Sequence, residues 1–166
     1  PARVDETLKS TLAAKETARL SRAKVDAVLS SYPETRSLWV LGADTLIEME
    51  GKIYGKPDSR EEAREMIAEF SGKTHRVVTT LALYSPRRQG ITVRSDTTSV
   101  TFAKLTAEDI SWYCASDDWR GAAGAYKIQE LGDVLIEKIE GSYTTVMGLP
   151  IRLFYGMLKA LHYPFS

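Results

Sequence analysis

Apolar positions change their period several times along this chain, and each change predicts an element. Over residues 1–31, Leu8, Leu12, Leu20, Ala23, Ala27 and Val28 recur among polar neighbours at a spacing that suits one or two helices. Ser31-Tyr32-Pro33-Glu34 breaks that pattern. An unbroken apolar run from Leu38 to Leu41 then predicts a buried strand over 38–43. Ser59 followed by Glu62 has the form of a capping box, and Ala63, Met66, Ile67 and Phe70 repeat at helical spacing. A helix over 60–70 is therefore expected, ended by Ser71-Gly72.

Two runs rich in Thr, Val, Leu and Tyr, roughly 75–84 and 91–102, flank Ser85-Pro86-Arg87-Arg88-Gln89-Gly90 and predict a long hairpin. Thr106 and Asp109 sit where a second cap belongs, before a short helix through Ile110 and Tyr113. Gly121-Ala122-Ala123-Gly124-Ala125 reads as a flexible loop of small residues, and Val134 to Ile139 as another strand. Pro150 opens a last helix with Ile151, Phe154, Leu158 and Leu161 turned inward. Strands and helices mix without strict alternation, so the expected class is α/β with a mixed sheet.

Composition narrows what such a chain does. With 166 residues it is one domain, large enough to bury a core, and 43% hydrophobic with 27% charged residues is an ordinary globular balance. Twenty-two basic residues offset 22 acidic ones, which argues against a dedicated nucleic-acid binder. A polyanion would have to be met by a local cluster of cations. Cys114 is the only cysteine, so no disulfide framework or thiolate metal cluster is expected, and a reducing, cytoplasmic setting fits. No apolar run approaches the ~18 residues that span a bilayer.

The strongest chemical candidate is Asp44, delivered with Thr45 by the strand-like run Val40-Leu41-Gly42-Ala43. Read as the carboxyl end of a buried strand, this places a carboxylate at the rim of a sheet, where open α/β folds bind ligands. A turn-capping aspartate is an equally good reading of that residue alone. Lys56 by itself is an ordinary surface lysine, but Gly55 and Pro57 constrain the backbone on both sides of it. Hydrolysis of a phosphoanhydride needs a base for water, a divalent cation and cations that neutralise charge, and Asp44 and Lys56 suit two of those roles. Asp5 and Glu6 are adjacent acids that otherwise read as a solvated helix entry, and Lys24 as a surface lysine in an Ala-rich helix. His75 and His162 have no partner at metal spacing, which makes zinc improbable. Arg87 and Arg88 fall at the hairpin tip and read as a solvated turn.

Taken together the segments resemble the Maf family of septum-formation proteins, which are nucleoside triphosphate pyrophosphatases. They are Leu41-Gly42-Ala43-Asp44-Thr45, Gly55-Lys56-Pro57, Phe70-Ser71-Gly72-Lys73-Thr74-His75-Arg76-Val77, Ala123-Gly124-Ala125-Tyr126-Lys127-Ile128-Gln129, Ile139-Glu140-Gly141-Ser142-Tyr143 and Val146-Met147-Gly148-Leu149-Pro150. The resemblance implies an elongated α/β fold with two lobes around a deep nucleotide-binding cleft, similar to that of the inosine triphosphatases. It implies hydrolysis of a nucleoside triphosphate to the monophosphate and pyrophosphate with Mg²⁺ or Mn²⁺, in a cytoplasmic homodimer that cleans the nucleotide pool. Asp44 matches the family's general base and Lys56 its phosphate lysine, with Lys24 a second catalytic lysine. Thr45 and Gln129 match positions linked to substrate choice, and Lys73 falls with the substrate-binding residues. Asp44 with Asp5 or Glu6 would hold the metal. Trp112, Tyr113 and Trp119 are candidates either for a dimer interface or for the core.

Two features depart from the family pattern. The family opens with a strand leading into a phosphate-gripping Ser-x-Ser-Pro-Arg-Arg loop, which has no counterpart ahead of Pro1 in this sequence. Ser85-Pro86-Arg87-Arg88 imitates it but follows Asp44, so the role does not transfer. Lys127 stands where the family has Gly, which puts a side chain beside the base pocket or a phosphate. Substrates divide within the family between pyrimidine triphosphates and 7-methyl-GTP, and the pyrimidine side is the expectation here. The rival class is a nucleotide-binding regulatory protein without catalysis. An inosine triphosphate pyrophosphatase explains the chemistry but not the Glu140-Gly141-Ser142 and Gly148-Leu149-Pro150 segments.

Overall fold

A computed structural model describes the backbone of residues 2–165 and the side chains of residues 12–165. The chain runs α1 (Ala2–Ser31), β1 (Val40–Met49), β2 (Lys52–Tyr54), α2 (Arg60–Phe70), β3 (Thr74–Ser85), β4 (Gly90–Phe102), α3 (Ala107–Ala115), β5 (Ile136–Glu140), α4 (Tyr143–Met147) and α5 (Ile151–Ala160). Its five strands form one sheet in the order β2-β1-β3-β4-β5. The α/β class with flanking helices is as expected. The sheet is antiparallel at every pairing rather than mixed: tight turns join β1 to β2 and β3 to β4, while the β1–β3 and β4–β5 pairs are reached through α2 and α3.

The central strand β3 is the spine, buried along nearly its whole length. Val77 joins an apolar cluster with α2, α3 and the 119–126 segment. Further along, Leu81 and Leu83 pack against Met157, Leu158 and Leu161 at the α5 end. On the opposite face Ala82 and Tyr84 meet Val25 and Leu29 of α1. The core is thus divided into separate clusters along one long hairpin.

Local capping signals place α2 and α3 as read. The Ser59 hydroxyl accepts the Glu62 N–H, and Ala63, Met66, Ile67 and Phe70 are buried. Thr106 and Asp109 form a complete capping box. The hairpin strands also fall where their composition puts them.

Four expectations change. The first segment is a single helix, but its buried stripe is Ala13, Thr17, Ser21, Val25 and Leu29, while Leu12, Ala23 and Ala27 are exposed. Hydroxyls can face the sheet there because Thr17 Oγ1 donates to the Ala13 carbonyl or pairs with Thr80 Oγ1 at 2.6 Å. Strand β1 does not end at 43 but continues to Met49. Ile151 is half exposed, and the inward face of α5 is Phe154, Met157, Leu158 and Leu161. The residues at 122–125 are packed rather than flexible, Gly121 alone being exposed: a Cβ at Gly124 would collide with Ile47 Cδ1. Of the three aromatics offered for an interface, Tyr113 and Trp119 are buried in the core and only Trp112 is exposed.

His75 is a core residue. It lies against Phe70, Phe102 and Tyr126, and its Nε2 bonds the Tyr126 hydroxyl at 2.8 Å. Burial favours the neutral imidazole and pulls its pKa from 6.5 down to about 3. The unfolded chain takes up this proton near pH 6.5 while the native state refuses it, so stability falls as pH drops below that value. The expected slope is about 1.4 kcal/mol per pH unit. Urea unfolding of wild type and His75→Gln between pH 7 and 5 tests this, the variant losing less stability over that range. Parallel losses would mean that the buried imidazole is not the source.

Candidate active site

The site forms where β1 lacks a neighbour. Strand β2 pairs only with Ile47, Glu48 and Met49, so Ala43, Asp44 and Thr45 pair with β3 on one side alone. Side chains alternate along a strand, sending Asp44 to one face of the sheet and Thr45 to the other. At a free edge both reach the same space, a cavity of about 290 Å³. Asp44 is therefore presented from mid-strand rather than from a strand's carboxyl end. The correction follows from Gly42, which looks like a terminator but serves close packing: a Cβ there would lie 2.6 Å from the Ser21 carbonyl oxygen of α1.

Helix α1 brings Lys24 to this edge. Its Nζ donates to Asp44 Oδ1 at 2.7 Å and to the unpaired Ala43 carbonyl at 2.8 Å. Asp44 is nearly buried while Lys24 remains half exposed. Among the described residues Asp44 Oδ2 keeps no protein hydrogen bond, so one carboxylate oxygen stays available to a water or a cation.

Lys56 lies on the segment that follows β2. Buried Pro57 and a 2.8 Å bond from the Gly124 N–H to the Gly55 carbonyl fix its backbone. Its ammonium has no ion-pair or hydrogen-bond partner among the described residues, and it lines the cavity. Lys127 and Gln129 line it too, beyond the Gly121–Ala125 wedge. Lys127 also lies 3.6 Å from Glu130. The far wall is Val146, Met147 and Gly148, with Gly148 at φ +100° closing α4. Among the described residues the lining thus holds Lys24, Lys56 and Lys127 against one carboxylate, Asp44. Such a surplus of cations suits a polyanionic ligand.

The structure brings together Asp44, Lys24, Lys56, Thr45 and Gln129, five of the residues expected here. Lys73 does not join them: it follows α2 and pairs with Glu50 at 3.8 Å. The side chains of Asp5 and Glu6 lie outside the described residues. Arg87 and Arg88 donate to the carbonyls of His162 and Ala160, capping the end of α5 rather than gripping phosphate. Thr79, one of a pair of threonines inside the apolar run Val77 to Leu83, lies directly across from Thr45 on β3.

The Maf-like protein family model matches residues 1–161. The chain belongs to that family. Among its Maf-like relatives, a protein of Aquifex aeolicus is 38% identical over 98% of this chain and 83% of its own length. One from Methylobacillus flagellatus is 43% identical over 91% of this chain and 75% of its own. One from Pyrococcus furiosus is 38% identical over 87% and 73% respectively. Each of the three is named a dTTP/UTP pyrophosphatase. No helix among the described residues of this Maf-like chain is long and apolar enough to cross a membrane.

Proposed function

We propose that this chain hydrolyses pyrimidine nucleoside triphosphates, UTP and dTTP, to the monophosphate and pyrophosphate, and so serves nucleotide-pool housekeeping. The observation that carries the reading is the cavity with three lysines and one tethered carboxylate, in a chain whose relatives bear the dTTP/UTP name. Those names favour the pyrimidine reading over 7-methyl-GTP.

In the proposed reaction Asp44 removes a proton from water through its free oxygen while Lys24 holds the other. The water oxygen attacks the α-phosphorus, and the bond from that phosphorus to the α,β-bridging oxygen breaks, releasing pyrophosphate. Lys56 and Lys127 neutralise charge that builds on the phosphate oxygens. Thr45 and Gln129 face the base.

A divalent cation fits the hard oxygen donors available. Asp44 would hold it together with substrate phosphates and, as the resemblance implies, Asp5 or Glu6. It would supply further neutralisation of the triphosphate. Among the described residues no group of three or more His, Cys, Asp or Glu forms a metal cage.

Pyrophosphate release from UTP, dTTP, CTP, ATP and 7-methyl-GTP, with Mg²⁺ or Mn²⁺ and again after chelation, tests the proposal. UTP and dTTP should be the best substrates, and EDTA should stop turnover. Fastest release from 7-methyl-GTP would move the chain to the other substrate class. Tight nucleotide binding with no pyrophosphate from any triphosphate would make it a binding protein.

A further inference from the structure

Thr79 is wholly buried on β3, directly across from Thr45 on β1, and does not line the cavity. Its Oγ1 donates to the Thr145 carbonyl at 2.8 Å and lies 2.8 Å from Thr45 Oγ1. A hydroxyl has one proton. Thr79 spends its proton on Thr145, because a carbonyl can only accept. The proton in the Thr45–Thr79 bond must therefore come from Thr45. With that proton directed into the protein, Thr45 offers the cavity lone pairs only.

The far end of this chain of bonds is held firmly. The Thr145 hydroxyl donates to Asp96, and its carbonyl also takes the Gly148 N–H at 3.1 Å. The absent side chain of Gly148 leaves the Thr45 hydroxyl open to the cavity, since an added Cβ would lie 3.3 Å from Oγ1.

We propose that Thr79 is a positioning residue that makes Thr45 an obligate hydrogen-bond acceptor, so that the site selects bases carrying an imide N–H. Uracil and thymine carry that donor at N3, between two carbonyls. Cytosine presents an unprotonated N3 at the same place and would set lone pair against lone pair. The inference rests on the pyrimidine triphosphatase reading and gives it a physical basis for discrimination.

The test is the ratio of kcat/KM for UTP to that for CTP, measured with 3-methyl-UTP as a third substrate whose N3 proton is replaced. Wild type should favour UTP over both by at least about tenfold, since a site built to bond a donor strongly rejects analogues lacking it. Thr79→Val frees Thr45 to turn its proton into the cavity and should lower the UTP/CTP ratio by about tenfold or more. Thr79→Ser restores the hydroxyl and should restore the ratio, which a merely structural role would not require. Thr45→Val keeps the buried Thr79–Thr145 bond and should lose the preference as well, so a poorly folded Thr79→Val leaves the question answerable. A folded Thr79→Val with the wild-type ratio overturns the proposal, as does a wild type that accepts 3-methyl-UTP as well as UTP. If no triphosphate is turned over, the pyrophosphatase reading fails by itself. The acceptor assignment is then decided by whether α,β-imido-UTP binds more tightly than its cytidine counterpart.

Discussion

Replacing Asp44 with asparagine should lower pyrophosphate release by ~10²–10³-fold while leaving the melting temperature close to that of wild type. Asparagine keeps an amide oxygen where Lys24 donates, at a contact that is 2.7 Å in the native chain. The tie between α1 and β1 therefore survives, and what disappears is the ability to take a proton. Alanine in the same place removes both functions, so comparing the two separates chemistry from tethering. A simple structural role for Asp44 predicts the reverse order, with asparagine nearly silent and alanine unstable. Asparagine that retains most of the activity would sink the assignment of Asp44 as the base.

Gly42→Ala should damage both the fold and the site. The new carbon would lie 2.6 Å from the Ser21 carbonyl oxygen, 2.8 Å from Val25 Cγ2 and 3.5 Å from Lys24 Cβ. The first of these is backbone and cannot rotate away, so helix and strand must separate. Overpacking of this kind costs about 1–3 kcal/mol. For a chain of this size that is roughly 2–4 °C of melting temperature for each kcal/mol. Activity should fall further than stability alone explains, because the same displacement pulls Lys24 from Asp44. Calorimetry and steady-state kinetics on the purified variant check both parts. A variant that melts and turns over like wild type would show that α1 does not sit as closely on β1 as the structure has it.

Where the physics is local, the sequence was legible. The caps of α2 and α3 are local, so Ser59 and the Thr106–Asp109 pair announced their helices directly, although the Glu62 carboxylate accepts the Asp58 N–H instead of closing a box with Ser59. Where the physics is long-range, it was not. The packing face of α1 is built from Ala13, Thr17 and Ser21, and nothing local distinguishes those hydroxyls from solvent-facing ones. The partner of Thr17, Thr80, is known only once the sheet is assembled. Gly42 was read as the end of a strand for the same reason, since the helix that needs its missing side chain comes from another part of the chain. The site followed a similar division. Asp44, Lys56 and Gln129 stood in motifs whose order pointed to one cleft, and the cavity gathers them. Lys73 stood in a motif too, but membership of a segment does not bring a side chain to the segment's active face. Thr79 required the β1–β3 register, which no spacing along the chain contains.

The small and hydroxylated stripe of α1 has an energetic consequence. Among its described buried residues only Val25 and Leu29, both near its carboxyl end, carry sizeable apolar side chains. Burial of such side chains is the main adhesive between elements, each contributing roughly 1.5–3 kcal/mol. The described part of α1 ahead of Val25 therefore owes less of its adhesion to apolar side chains and more to close packing and the Thr17–Thr80 bond. Lys24 sits at the border between the two parts. A polyanion that engages Lys24 binds only the docked helix, so occupancy of the cavity stabilises that helix by mass action. The active site is in this sense part of the fold's own fastening, completed by the molecule it acts on.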